Sequence, residues 1–285
     1  MQATLQLWKT PHLSPRHLPM PQTGLAVLRD YTAEYLSWGT GEPLVLIPGL
    51  AGGVGLVSLL AAHLARQYRV LAFQLRGETE PFVLRRRFDL NDLVDDVAEF
   101  MDLLCLERPI VMGVSFGGVL ALQFAARYPH RPAAVIAQGV DVTFAPSLLR
   151  FATELVLRHY SLPCDNPYVN QFFNLFFGKQ CDDLRLLNFV ARQCWQTDQS
   201  VMAYRFQLAE RMDLRPYLPA IRVPTLIITG QLDVLSTAQG VRELELRIPH
   251  VEHVRIADAG HFAFVSHADL LADAVYRFLI RFLTS

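Results

Sequence analysis

The sequence lacks the features that mark several large classes of protein. Its formal net charge is −1 over 285 residues, so no excess of one sign would attract nucleic acid or an anionic membrane surface. It contains no run of about 18 uncharged apolar residues of the kind that spans a bilayer. Its first twenty residues lack the continuous apolar stretch of a secretory signal. We therefore expect a soluble, cytoplasmic protein with no nucleic-acid partner and no membrane span.

Cysteine is scarce. The chain has four cysteines, and they form no C-x-x-C pair and no regular spacing. Neither a zinc site nor a disulfide framework is predicted from such a pattern. Reduced thiols are the rule in the cytosol, so the cysteine content agrees with the expected location. The four residues are Cys105, Cys164, Cys181 and Cys194.

Apolar residues, in contrast, are abundant. Hydrophobic residues make up 52% of the chain, which is enough for one large domain, or one domain with a sizeable insertion, to bury a substantial core. Residues 1–23 differ from the rest because they carry four prolines. We predict that they form an irregular N-terminal arm.

Short apolar runs alternate with runs of helical spacing through most of the chain. Residues 25–30 and 33–38 predict a hairpin at a sheet edge. Helical spacing over residues 90–104, behind a cap at Asp89, and over a closing segment at 268–283 predicts amphipathic helices. This alternation predicts an α/β fold with a doubly wound, mostly parallel sheet covered on both faces. The buried strands that we predict cover residues 43–49, 69–75, 109–112, 133–137, 225–230 and 253–257.

The alternation is interrupted once, between residues 145 and 216, where helical runs rich in aromatic residues replace the strands. In open α/β sheets the ligand crevice lies at the carboxyl ends of the strands. An insertion after the strand at residues 133–137 would therefore roof that crevice. We assign residues 24–144 and 217–285 to the core domain and residues 145–216 to a helical cap insertion. Most of its aromatic residues should fill the cap's own core, and a few should line a pocket.

The most informative motif is Gly-Val-Ser-Phe-Gly-Gly at residues 113–118, between a predicted strand and a predicted helix. The pattern is typical of a nucleophile elbow, in which a sharp strand-to-helix turn points a serine hydroxyl out of the sheet. Glycines before and after Ser115 remove the side chains that would block the turn. Ser115 is therefore the candidate nucleophile. The alternative is an ordinary glycine-rich turn between a strand and a helix, which has the same sequence pattern.

A serine hydroxyl attacks a carbonyl only with the help of a general base, which an acid in turn orients. Asp233 lies just past the end of one predicted strand, and His261 lies just past the next. We interpret His261 as the base and Asp233 as the acid. Asp141 also follows a strand end, and it remains an alternative acid. Asp258 is too close to His261 in sequence to be aimed easily at its ring.

The same chemistry needs two backbone donors for the developing oxyanion. The N–H of Phe116 directly follows the candidate nucleophile, and the N–H of Leu50 lies in the glycine-rich loop after the first buried strand. We predict that these two groups form the oxyanion hole. The alternative is that the glycines of that loop form only a tight turn that does not face the serine.

The order Ser115, Asp233, His261, with the elbow, the oxyanion loop and the cap, resembles the α/β-hydrolase superfamily. The resemblance is to its capped branch of serine esterases, lactonases and C–C hydrolases, and it covers about residues 24–284. It implies an eight-stranded, mostly parallel sheet with a helical cap inserted after the sixth strand, and it implies no cofactor and no metal. The chain departs from the family at Pro48, where His is common, and at residues 74–79, where Asp-x-Arg-Gly-His-Gly is common.

The resemblance implies a serine hydrolase that cleaves a carboxylic ester, lactone or thioester of a small to medium apolar substrate through an acyl-enzyme. A C–C hydrolase of diketones is an alternative, although Phe262 stands where such enzymes often have tryptophan. Acyltransferase, haloperoxidase and slow-hydrolase receptor functions are further alternatives on the same scaffold. We expect an apolar roof that selects uncharged small molecules. An inward-facing arginine among Arg150, Arg158, Arg185 and Arg192 would overturn that expectation.

Overall fold

The computed structural model describes residues 19–78, 87–144, 167–179 and 181–283 of the chain. Residues 1–18 of the predicted N-terminal arm and residues 145–166 of the predicted cap lie outside this part. Arg150, Arg158 and Cys164 lie outside it as well.

A single sheet of eight strands runs through the described chain. β1 pairs antiparallel with β2, and β2 pairs antiparallel with β4, whereas the remaining neighbours pair in parallel. The strand order across the sheet is β1-β2-β4-β3-β5-β6-β7-β8. The eight-stranded, mostly parallel sheet is therefore confirmed, as is the hairpin at its edge. The strands are β1 (Gln22–Val27), β2 (Thr32–Trp38), β3 (Pro43–Ile47), β4 (Arg69–Phe73), β5 (Ile110–Val114), β6 (Val135–Gln138), β7 (Thr225–Gly230) and β8 (Val251–Ile256).

Helices connect these strands and cover the sheet. In the described residues they are α1 (Gly53–Leu56), α2 (Ser58–Leu64), α3 (Leu90–Leu103), α4 (Phe116–Arg127), α5 (Pro167–Phe177), α6 (Leu184–Cys194), α7 (Gln199–Glu210), α8 (Ala238–Arg247), α9 (Ala263–Ser266) and α10 (Ala268–Leu283). The predicted N-cap of α3 at Asp89 is confirmed. Its carboxylate accepts the N–H groups of Asn91 and Asp92, and the Asp92 side chain accepts the Asp89 N–H in return.

Two apolar cores lie on the two faces of the sheet, because successive side chains of a strand point to opposite sides. Along β3, Leu44 and Leu46 belong to the core formed with α2 and α10, whereas Val45 and Ile47 belong to the core formed with α3 and α4. Since β3 is buried on both faces, its sequence is a continuous apolar run. The strand ends at Ile47, two residues before its predicted end, because Pro48 has no N–H to donate to a neighbouring strand.

Helices α5, α6 and α7 follow β6 and precede β7. The chain leaves the sheet and returns to it at one place, where Thr143 forms an isolated antiparallel bridge with Asp213 and the Leu214 N–H donates to the Val142 carbonyl at 2.8 Å. We call α5 to α7 the roof helices below. Several of their aromatic side chains join the core that contains α2 and α10, among them Phe173 and Phe176.

Neither α8 nor the start of β1 was predicted from the sequence. In α8 the buried residues are Gly240, Val241 and Leu244, which are too few to produce a recognisable apolar stripe. β1 begins at Gln22, within the predicted arm. No described helix combines the length and the apolar character that crossing a bilayer requires.

Candidate active site

Ser115 lies in the turn between β5 and α4. Its backbone has φ 53° and ψ −122°, a conformation that costs about 1–3 kcal/mol in a residue with a side chain. The flanking glycines make the turn possible. A Cβ on Gly113 would lie 2.0 Å from the carbonyl oxygen of Gly117, and a Cβ on Gly117 would lie 2.3 Å from that of Ile47. The sharp strand-to-helix turn predicted from the sequence is thus present.

The structure brings Ser115, His261 and Asp233 into one hydrogen-bonded chain. Ser115 Oγ lies 2.8 Å from His261 Nε2, and His261 Nδ1 lies 3.1 Å from both carboxylate oxygens of Asp233. When Nδ1 carries the proton and donates it to Asp233, Nε2 is free to accept the Ser115 hydroxyl. The three residues follow the ends of β5, β7 and β8. They meet because parallel strands end at the same edge of the sheet.

Asp233 is held as a carboxylate. Burial would by itself raise its pKa, but the charge and hydrogen bond of His261 hold the pKa of Asp233 below its usual range, with help from the Leu235 N–H and the Ser236 hydroxyl. Its side chain is 0% exposed and that of His261 is 5% exposed. The pair is therefore shielded from the water that would compete for these bonds.

Asp141, the alternative acid, binds elsewhere. Its Oδ2 accepts the backbone N–H and the hydroxyl of Thr237, at 2.8 and 2.6 Å, and its Oδ1 accepts the Val142 N–H at 2.6 Å. Thr237 in turn caps α8 by accepting the Gly240 N–H. Asp141 thus fixes the loop before α8, and the geometry favours Asp233 as the partner of His261.

The loop that carries His261 is attached to both the sheet and the roof helices. The buried side chain of Gln138 donates to the His261 carbonyl at 3.1 Å. The Phe262 N–H donates to the carbonyl of Phe176 at the end of α5, at 3.0 Å. A Cβ on Gly260 would lie 2.3 Å from the backbone of Phe177, so the two backbones touch. The position of the imidazole therefore depends on α5.

The two predicted oxyanion donors lie beside Ser115. Phe116 is the first residue of α4, where a backbone N–H has no partner within the helix. A Cβ on Gly49 would lie 3.6 Å from Ser115 Cβ, so the loop that carries Leu50 passes next to the serine. Neither the Leu50 nor the Phe116 N–H donates to another backbone group among the described residues. Both are available to a ligand.

A cavity of about 220 Å³ opens at Ser115 and His261. Its walls are almost entirely apolar, and the roof helices supply many of them. No Lys or Arg of the described residues lines it, and Arg185 and Arg192 are exposed. The side of the roof that faces the cavity is thus free of cations among the described residues, although the roof helices carry arginines that point elsewhere. The roof-helix residues on the cavity are Phe173, Phe176, Cys194, Met202, Phe206 and Ala209, with Trp195 directly after α6.

A buried ion pair behind this cavity was not found from the sequence. Arg205 of α7 is 0% exposed and Glu78 is 4% exposed, and Arg205 Nη1 lies 2.5 Å from Glu78 Oε1. Arg205 also donates to the carbonyls of Leu50, at 3.2 Å, and Arg76, at 2.6 Å. Burial raises the pKa of Glu78, while the Arg205 charge opposes the rise. Glu78 stands where the family commonly has His, which was the one available signal.

One protein-family model matches most of the chain. The model of the alpha/beta hydrolase fold family matches residues 42–268. This range contains Ser115, Asp233 and His261.

The sequence identity to the following three proteins is low. The chain is 29% identical over 254 residues to a pimeloyl-[acyl-carrier protein] methyl ester esterase from Xanthomonas oryzae pv. oryzae (strain MAFF 311018), covering 85% of this chain and 96% of that protein. Among solved structures, an enol-lactonase from Burkholderia xenovorans LB400 has a TM-score of 0.78 at 23% identity, covering 90% of this chain and 100% of that one. A membrane phospholipase A has a TM-score of 0.80 at 20% identity, covering 99% and 93%. At 20% and 23% identity, these two solved structures show a likeness to this chain in fold alone.

Proposed function

We propose that this chain, which belongs to the α/β-hydrolase family, is a serine hydrolase that cleaves carboxylic esters of small to medium apolar substrates. The observation that carries the proposal is the hydrogen-bonded chain from Ser115 Oγ through His261 to Asp233 at the mouth of an apolar cavity. A nucleophile, a base and an orienting acid in this arrangement are what acyl transfer requires.

In the proposed reaction Ser115 Oγ attacks the ester carbonyl while its proton passes to His261 Nε2. The carbonyl oxygen becomes an oxyanion, which the N–H groups of Leu50 and Phe116 stabilise. Collapse of this intermediate breaks the bond to the alcohol oxygen, and His261 returns the proton to the departing alcohol. Water then attacks the acyl-enzyme with His261 as base, which releases the carboxylic acid and restores Ser115. Asp233 keeps the imidazole in the tautomer that both steps need.

The proposed substrate class is a neutral alkyl ester of an acyl chain. The curated relative is named for a methyl ester, which supports an ester over a lactone or thioester. The cavity supports an uncharged acyl chain, since a charged group would lose hydration there without gaining a partner. We also propose that residues 145–216 form a cap on a core of residues 24–144 and 217–285, supported by the bridge between Thr143 and Asp213.

The test combines a chemical label with a substrate panel. A fluorophosphonate probe should label the wild type at Ser115, and Ser115→Ala should remain unlabelled. The panel would contain p-nitrophenyl esters of increasing acyl length, a carboxylate-bearing ester of matched length and a phenolic diketone. We expect hydrolysis of the neutral esters, poor hydrolysis of the charged ester and none of the diketone. Preference for the diketone would replace the esterase by a C–C hydrolase, and absence of labelling would exclude a serine mechanism.

A cytoplasmic location is the remaining part of the proposal. Cys105, Cys181 and Cys194 are free thiols in the described chain, as expected in a reducing compartment. Fractionation of cells that produce the tagged protein would test the location directly, and recovery outside the cytoplasm would contradict it.

A further inference from the structure

The loop between β3 and α1 is attached to the roof helices at two points. The Leu50 carbonyl accepts a hydrogen bond from Arg205 Nη1 of α7 at 3.2 Å. The Gly52 N–H donates to the hydroxyl of Thr197, which lies between α6 and α7, at 2.9 Å. Both contacts join positions at least 145 residues apart in sequence. The loop next to Ser115 is therefore held from the roof side as well as by its own strand.

Arg205 is bound on several sides at once. Besides Leu50 it donates to the Arg76 carbonyl and to Glu78, both just after β4. A guanidinium is planar and its N–H groups point in fixed directions, so these bonds fix the loop relative to α7 and to the segment after β4. A lysine carries the same charge but offers no such planar fork.

The loop needs an external attachment because its own backbone is permissive. Gly52 and Gly53 have φ values of +79° and +45°, and Gly49 precedes Leu50 without a side chain to restrict it. An oxyanion donor works only when its N–H points at the oxygen from about 2.7–3.1 Å. Fixing the Leu50 carbonyl restricts the backbone rotation of the same residue whose N–H is free.

Stability alone gives a weak reason for an ion pair in this place. The side chains of Arg205 and Glu78 are 0% and 4% exposed, and burying two charges costs free energy that apolar packing of similar volume would not. An ion pair does, however, specify direction, which apolar packing does not. That difference favours a geometric role.

We propose that Arg205 is a positioning residue that holds the Leu50 loop in the orientation in which its N–H stabilises the oxyanion. Thr197 supports the same loop through Gly52. This inference rests on the proposed serine-hydrolase function. It adds that the roof helices determine the reactivity of the site in addition to its selectivity.

The experiment compares Arg205→Lys with Thr197→Val, which is nearly isosteric and preserves the ion pair. For each we would measure kcat and KM on p-nitrophenyl butyrate. Inhibition by an alkyl trifluoromethyl ketone is then compared with that of its methyl ketone counterpart. The trifluoromethyl ketone forms a bond from Ser115 Oγ to its carbonyl carbon; the serine proton moves to His261 and the carbonyl oxygen becomes an oxyanion. The methyl ketone, as a weak electrophile, reports on binding to the cavity.

For Arg205→Lys we expect kcat to fall by about 10- to 100-fold, since removal of a whole oxyanion donor costs about 10²–10³. KM should change by less than about threefold. Trifluoromethyl ketone inhibition should weaken in parallel with kcat, while methyl ketone inhibition stays constant. Thr197→Val should show the same pattern at about three- to tenfold, because it removes the more distant attachment.

Asp96→Asn is the matched control. Asp96 is 1% exposed and pairs with the side chain of Arg76, which Asp30 also holds at 2.8 Å. This variant therefore weakens a neighbouring ion pair but removes no bond from Arg205 to Leu50 or to the Arg76 carbonyl. It should lower the melting temperature without changing the ratio of the two inhibition constants. A folded Arg205→Lys or Thr197→Val with an unchanged ratio would show that the attachments are only structural. If Arg205→Lys does not fold, Thr197→Val decides alone. A wild type that neither hydrolyses esters nor reacts with fluorophosphonate overturns the proposed function and this inference together.

Discussion

Ser115 lies at the carboxyl ends of the parallel strands, and the roof helices lie above it. Different kinds of interaction stabilise these two regions. At the sheet edge, three side chains form directed hydrogen bonds of 2.8–3.1 Å. The cavity beneath the roof has apolar walls, whose contacts depend on area and shape rather than direction. Loss of one directed contact should therefore remove activity, whereas loss of one apolar contact should change which substrate is preferred.

The largest effect is expected at the nucleophile. Ser115→Ala should reduce ester hydrolysis by about 10⁴-fold or more while the fold is retained, because alanine bears the same backbone strain as serine. Ser115→Gly should be equally inactive but more stable by about 1 kcal/mol, since glycine accepts φ 53° without strain. Initial rates and thermal unfolding measure the two quantities. Residual activity near the wild-type level in either variant would assign the reaction to another residue.

The two candidate acids provide the next test. Asp233→Asn should lower kcat by at least about 100-fold, because an amide can hold the imidazole in the wrong tautomer. Asp141→Asn should leave kcat within about tenfold and lower stability instead, by about 1–3 kcal/mol for the weakened bonds to Thr237. Steady-state kinetics and unfolding of both variants make the comparison. A larger kcat loss in Asp141→Asn would reverse the assignment.

The pH dependence should show one titrating group on the acid side. Only a neutral imidazole accepts the Ser115 proton, so kcat/KM should fall on the acid side. The pKa of Asp233 is lowered, so this carboxylate stays ionised below the usual carboxyl range and adds no second limb above it. The logarithm of kcat/KM should therefore fall with a slope of one, tenfold per pH unit. A slope of two, or a kcat/KM that stays constant from about pH 5 to 9, would contradict this prediction.

The smallest effects are expected at the apolar side chains of the roof that line the cavity. Each methylene added from acetyl toward hexanoyl esters should raise kcat/KM about fourfold, or about 0.8 kcal/mol, until the cavity is full. Phe206→Leu should move the optimum to longer acyl chains, because Phe206 lines the cavity. Phe189→Leu is the matched control, since Phe189 is buried in α6 but does not line it. If the two variants show the same dependence of kcat/KM on acyl length, the roof side chains do not determine which acyl chain is preferred.

Local pattern predicted much of this molecule. The run at residues 43–47 is apolar throughout because β3 is buried on both faces, and the Asp89 cap precedes a helix with a clear apolar stripe. The sharp turn at Ser115 was predicted from residues 113–118 alone, but the need for glycine at Gly117 also depends on β3, because a Cβ there would lie 2.3 Å from the Ile47 carbonyl oxygen. The α8 helix was missed because only Val241 and Leu244 supply apolar burial there.

By itself, the sequence determined the sheet, the elbow and the candidates Ser115, Asp233 and His261, because each depends on residues that are neighbours along the chain. Only the tertiary structure decided that Asp141 hydrogen-bonds to Thr237 and Asp233 to His261, since the direction of a side chain follows from packing. It alone joined Arg205 to Glu78 and Leu50, across 127 and 155 residues. No local spacing encodes such a pairing, because its partners approach each other only when the roof helices pack against the sheet edge.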